Sequence, residues 1–165
     1  KEPTIGIRLF EVTNNNELFS KYFTKNPKYS SSSMSMSLNE FLNYCESISA
    51  SYINWIIEPV SSKQDWPNKG SGINKGLIVI EEFLLRAEEL FDSDTFKSYS
   101  NEEACKSLLE LHDIVNKYYS NPDTMFNLMS REKLLNDKKW VEIQNFGRKV
   151  KHNLELFINK GRENV

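Results

Sequence analysis

The sequence is poor in the side chains that most often carry catalysis and metal binding. Its 165 residues include two histidines, His112 and His152, and two cysteines, Cys45 and Cys105. A structural zinc site needs about four such ligands close together, and the carboxylate-bridged metal sites of helical proteins need Glu-x-x-His pairs, which this sequence lacks. We therefore expect no metal and no cofactor. Both cysteines fall inside helical apolar patterns, which favours reduced thiols in a core over a disulfide.

Other absences remove further classes of function. Gly70-Ser71-Gly72 lacks the Gly-Lys-Ser/Thr ending of a phosphate loop, and no serine stands in a Gly-x-Ser-x-Gly elbow. No window approaches the roughly 18 consecutive apolar residues of a membrane span. We expect an intracellular protein, cytoplasmic or nuclear, without membrane contact. The chain opens at Lys1 without methionine or a signal peptide, which favours a piece of a longer protein.

Charge is low overall but unevenly distributed. The chain is 39% hydrophobic and 27% charged, which is typical of one globular domain, and its net charge is -2. Residues 131–165 hold nine basic and five acidic residues, so this end carries +4 and the rest of the chain -6. A basic end and an acidic remainder favour contacts between complementary surfaces.

The first 35 residues have a different pattern from the rest. Ile5, Ile7 and Leu9 alternate with other residues at a period of two, which predicts a short strand or extended arm. A lone strand cannot pair its own backbone groups, so its partner would be another chain or a segment outside this sequence. The serine run before residue 35 predicts a linker. We divide the chain into an arm and linker, 1–35, and a helical domain, 36–165.

Four longer segments have the apolar spacing of amphipathic helices. The first begins at a capping box, Ser37 to Glu40, and ends before Pro59. The second follows a long loop and carries glutamates on its outside. The third begins at a second capping box, Ser100 to Glu103, and ends at Asn121-Pro122. The fourth begins after Asp137. The outer glutamates of the second helix are Glu81, Glu82, Glu88 and Glu89. The predicted fold is all-α, an antiparallel four- to five-helix bundle with the N-terminal strand or arm added.

The last predicted helix, 138–165, has the longest apolar stripe. Its members are Trp140, Ile143, Gly147, Val150, Leu154, Phe157 and Ile158. A helix with one continuous apolar face is built to pack against others. Gly147 predicts a place where another helix approaches closely.

The polar side of this helix holds the best candidate for chemistry. Arg148 lies one turn before His152, and Glu155 follows three residues later, so a cation, an imidazole and a carboxylate are neighbours. A helical bundle with such a pair resembles the HEPN family, whose members often dimerise and use an arginine and a histidine to cleave RNA. The resemblance implies an RNA-binding or RNA-cleaving domain with Arg148 and His152 as its catalytic pair. Three residues separate the two here, fewer than in the family's motif, which favours a non-catalytic relative.

The sequence favours a non-enzymatic protein-interaction or dimerisation module of a larger intracellular protein, and the HEPN-like RNA domain is the alternative. The partner would be another protein or a second copy, and weak RNA contact through cations is the other reading. Trp66, in a loop before Pro67, either covers the end of the bundle or is exposed for a partner. The basic last helix also complements the acidic second helix, within one chain or across a dimer. The predicted interaction residues are Ile5, Ile7, Leu9, Trp66, Arg148, Lys149 and Lys151.

Overall fold

The computed structural model describes residues 35–59 and 75–164, and every regular element in these ranges is helical. This confirms the all-α class for the described part of the chain. The α-helices are α1 (Leu38–Ile48), α2 (Asn54–Ile57), α3 (Lys75–Phe91), α4 (Asp94–Ser98), α5 (Glu103–Ser120), α6 (Pro122–Met125), α7 (Arg131–Leu135) and α8 (Lys138–Glu163). A π-helical turn (Ser49–Ile53) joins α1 to α2, and a 3-10 helix (Phe126–Met129) follows α6.

Several sequence predictions lie outside the described residues. They are the N-terminal strand with Ile5, Ile7 and Leu9, the serine-rich linker, and Trp66 with its loop. Within the described ranges, no helix combines the length and apolar composition that a bilayer crossing requires.

Two of the three helix starts that the sequence marked are confirmed. Ser37 and Glu40 form the capping box of α1, with two backbone-to-side-chain hydrogen bonds of 3.1 Å. Asp137 caps α8 by accepting a hydrogen bond from the Lys139 amide at 3.1 Å.

The prediction of a capping box at Ser100 is wrong. The N-cap residue of α5 is Glu102, and its side chain makes no capping hydrogen bond. The reason is the unpredicted helix α4, which is followed by a tight turn in which the Ser100 amide donates to the Lys97 carbonyl. Ser100 is therefore part of that turn and is too far along the chain from α5 to cap it.

The long helices pack in a closed series of neighbours. Helix α8 packs against α5 on one side and against α1 and α2 on the other, and α3 packs against α5 and α1. Neighbours run in opposite directions, because residues early in one helix contact residues late in the next. The contacts that show this are Ser107–Asn153 and Tyr118–Trp140 between α5 and α8, Glu88–His112 and Glu81–Tyr119 between α3 and α5, and Tyr44–Glu89 and Tyr52–Glu82 between the first helix and α3.

The core lies between these helices and is filled by large side chains. Trp140, Phe41 and Phe83 are fully buried. Of the stripe predicted for α8, every member is buried except Phe157, which is half-buried and packs on the core. Burial of this continuous stripe explains why α8 is the longest helix in the described ranges.

The π-helical turn changes which residues of the first helix face inward. Ile53 is fully buried, whereas Tyr52 is half-buried and donates to Glu82. A π turn inserts one residue into the helical repeat, so the inward position after Ile48 falls five residues later. The sequence around Ser49 carries no mark of this insertion.

Both cysteines are buried and free, as predicted. Removal from water destabilises a thiolate, so burial raises the pKa of Cys45 to about 12 and of Cys105 to about 12.

We expect both thiols to be unreactive in the folded protein. A thiol with a pKa near 12 is almost wholly protonated at mildly alkaline pH, and the thiolate is the reactive form. Colorimetric thiol titration should count no fast-reacting group in the native protein and two in guanidinium chloride. Cys45→Ser and Cys105→Ser variants assign any residual signal, and rapid native reaction of either cysteine would contradict its placement in the core.

Candidate interaction surface

The side of α8 opposite its buried stripe is exposed over the length of the helix. We call this side the outer face of α8; its nine residues are Lys138, Val141, Glu142, Asn145, Lys149, His152, Leu156, Lys160 and Glu163, all of them exposed. They recur every three or four residues, as one side of an α-helix requires. Val141 is 40% exposed and Leu156 57% exposed. The outer face therefore mixes two apolar side chains with charges of both signs.

Arg148 and His152 are neighbours at the edge of this face, and both are exposed. The Arg148 guanidinium donates to the Asn145 amide oxygen at 2.8 Å, which turns it toward the preceding helical turn and away from His152. Catalysis by a general base needs the reacting hydroxyl held within hydrogen-bond reach. A single exposed helix surface supplies little to hold a substrate there.

The predicted basic cluster is spread around α8. Lys149 lies on the outer face, with its ammonium 5.6 Å from the centre of the Phe146 ring. Lys151 is half-buried and falls beside the buried stripe, since two residues along a helix turn the side chain by about 200°. Lys149 and Lys151 thus point away from each other, and the three cations Arg148, Lys149 and Lys151 do not form one patch.

The acidic helix α3 does not use its glutamates to bind the basic helix α8. Glu89 pairs with Arg86 at 2.7 Å and also accepts from Tyr44, while Glu82 accepts from Tyr52. On α8, Arg162 pairs with Glu46 of α1 at 2.9 Å. In the described ranges the two helices are held by other neighbours, and no ion pair joins α3 to α8.

Glu88 is not on the outside of α3, where the sequence placed it. It is 4% exposed, and its Oε2 lies 3.3 Å from Nε2 of His112, which is 6% exposed. The Phe91 ring packs edge-on against the imidazole, with centroids 5.3 Å apart. A charged or polar pair at this depth belongs to the packing of α3 on α5, so His112 serves the core.

Three tyrosines are held in their protonated form by burial and by neighbouring carboxylates. Burial raises the pKa of Tyr44 to about 12, with Glu89 adding to the effect. Burial likewise raises the pKa of Tyr118, which donates to Asp137 at 2.6 Å, and of Tyr119, which donates to Glu81. These phenols act as hydrogen-bond donors that join helices and not as bases.

Two of the surface grooves between the described helices show no reactive arrangement. The groove between α1 and α3, about 310 Å³, is lined by Tyr44, Tyr52 and the Arg86–Glu89 pair. The groove at the start of α8, about 250 Å³, includes Lys117 and Lys139, and Lys117 pairs with Asp113. Within residues 35–59 and 75–164, no group of three or more His, Cys, Asp or Glu side chains could hold a metal ion.

Sequence reasoning missed the exposed apolar residues. Leu156 could have been found, because the helical repeat places it opposite the apolar stripe of α8. Phe126 and Met129 are also exposed, and a 3-10 helix places residues three apart on one side. The sequence gives no sign of which side of this short helix faces outward.

Comparisons of this chain with protein-family models, with curated proteins and with solved structures found no match.

Proposed function

We propose that the chain is a non-enzymatic protein-interaction module whose binding surface is the outer face of α8. The observation that carries this proposal is the pair of exposed apolar residues, Val141 and Leu156, set among charges on one helix face. None of the charged residues of this face takes part in an ion pair within the described ranges. Interfaces combine apolar contacts with a charged surround that fixes orientation.

The helix contacts favour a bundle as the scaffold of this surface. We infer that α8, α5, α3 and the first helix form an antiparallel four-helix bundle, since each packs on two others and neighbours run oppositely. In such a bundle every helix buries one stripe and presents the opposite one. The rigid core under Trp140 and Val150 would then hold the outer face of α8 in a fixed shape.

A protein partner fits this surface better than RNA. Glu142 and Glu163 interrupt the cations of the outer face and would repel phosphates. The nine residues of the face include no Phe, Tyr or Trp side chain on which a base could stack. Apolar Leu156 gains from contact with another apolar surface and gains nothing from a phosphate.

Site-specific photo-crosslinking tests the proposal. A photoreactive phenylalanine analogue would replace Leu156 in one variant and Ile78 in a control variant, in the cells that produce the protein. Ile78 is a matched control because it is an exposed aliphatic residue, 39% exposed, on α3, which does not pack against α8.

We expect protein adducts from position 156 and few from position 78. Adducts that disappear after nuclease treatment would replace the proposal with RNA binding. Equal adduct yields from both positions, or none from position 156, would contradict an interaction surface on α8.

A further inference from the structure

The outer face of α8 is complementary in charge to the same face of a second α8 that runs in the opposite direction. Consider a two-fold axis that crosses α8 between Val150 and Lys151, perpendicular to the helix. Lys138 and Glu163 are equally far from this point, and the distances of Glu142 and Lys160 from it differ by one residue. A second α8 related by that axis would place a lysine opposite each of these glutamates.

From this pattern, and resting on the proposed function above, we propose that the partner on the outer face of α8 is a second copy of this chain. The two α8 helices pack antiparallel about this axis. Every contact occurs twice, so the interface holds two Lys138–Glu163 pairs and two Glu142–Lys160 pairs. A parallel pair in register would set each residue against its own copy and bring like charges together, so the charge pattern selects the antiparallel arrangement.

The spacing of these residues suits a shallow crossing of the two helices. Lys138 and Glu163 lie about 19 Å from the axis at a rise of about 1.5 Å per residue. Helices crossing at about 20° stay within reach of long side chains over that distance, whereas a crossing near 50° would separate their ends. The charges at the ends of the face therefore favour the shallow geometry.

Four residues lie nearest to the axis, Lys149 and His152 beside it and Asn145 and Leu156 one turn farther out. Lys149 faces His152 of the second copy. Leu156 faces Asn145 of the second copy, one helical turn from that copy's Val141. The contact between the two α8 helices thus covers both Val141 and Leu156, which are exposed in the single chain.

Charge reversal with recombination of variants tests this register. Lys138→Glu sets glutamate against glutamate in a homodimer, and Glu163→Lys sets lysine against lysine. Mixing the two variants restores an attractive pair at both ends of a mixed dimer. Sedimentation equilibrium of the full chain over a range of concentrations measures association in each case.

We expect the wild-type chain to associate and each single variant to dimerise roughly tenfold more weakly, since two attractive ion pairs at the surface become repulsive. The mixture should recover the wild-type association. Lys106→Glu and Glu110→Lys, which make the same charge changes at exposed positions of α5, should have no effect. Circular dichroism confirms that every variant is folded.

Two results would overturn the second copy as partner: a monomeric wild-type chain at all concentrations, or a mixture no stronger than the single variants. In that case, crosslinks from position 156 to a different protein would still support an interaction surface on α8, with that protein as the partner. Absence of any such crosslink would remove both proposals together.

Discussion

Glu88→Leu and His112→Leu should each destabilise the fold by about 3 to 5 kcal/mol, and the double variant should cost much less than either. Each single change removes one member of a buried polar pair, 4% and 6% exposed, and with it the contact of 3.3 Å between Glu88 and His112. Leucine is close to both side chains in size, so the double variant fills the space with apolar atoms and leaves neither member of the pair behind. Denaturant unfolding measures all three free energies, and against a total stability of about 5 to 15 kcal/mol each single loss is large.

A surface pair of similar geometry is the control for burial. Lys117 and Asp113 are 2.9 Å apart on α5 but 61% and 43% exposed, so Asp113→Asn should cost less than about 1 kcal/mol. Additive losses from the two leucine substitutions would show that Glu88 and His112 do not stabilise each other. Such a result would contradict the role of this pair in holding α3 against α5.

The sequence predicted best those features that depend on a helix's own repeat. The buried stripe of α8 follows from spacing alone, because side chains three and four residues apart share one face wherever the helix packs. The adjacency of Arg148 and His152 follows from the same repeat. The end of α5 at Asn121-Pro122 is also local, since proline cannot continue the helix without losing a backbone hydrogen bond.

Features that depend on distant residues could not be predicted in this way. Glu88 reads as a solvent-facing glutamate on α3, and only the packing of α5 brings His112, 24 residues later, against it. The capping box at Ser100 has the right residues, but the turn after α4 uses the Ser100 backbone. In both cases a tertiary or neighbouring contact overrides a pattern that is correct on its own terms.

The candidate surface was predicted only in part. Sequence reasoning identified α8 and the cations Arg148 and Lys149 but grouped Lys151 with them, whereas the helix turns Lys151 toward the buried side. It also offered pairing of α8 with the acidic helix, within one chain or across a dimer. Within the chain, α8 packs mainly against α5, α1 and α2, and α3 packs mainly against α5 and α1. Which helices become neighbours depends on the whole fold and cannot be predicted from the sequence of either helix alone.

Gly161→Ala should destabilise the fold by about 1 to 3 kcal/mol, whereas Gly147→Ala should be neutral or stabilise it by up to about 1 kcal/mol. A Cβ at position 161 would lie 2.8 and 2.9 Å from the two terminal methyl carbons of Leu42, which is fully buried and has little room to move. At position 147 the nearest atom would be Cγ1 of Ile57 at 3.4 Å, an ordinary contact, so the better helix propensity of alanine decides the sign.

The closest approach of a neighbour to a glycine of α8 is therefore at Gly161 and not at Gly147, although both helix crossings are real. A leucine at position 147 should still cost about 1 to 3 kcal/mol, because its longer side chain must enter the space held by Ile56 and Ile57. Denaturant midpoints of the three variants, compared at equal dependence on denaturant, give the order. Equal midpoints for both alanine variants would mean that the Leu42 side chain moves aside for the new methyl group. The close contact at Gly161, which lies beside the Arg162–Glu46 pair, would then not fix the end of α8 against α1.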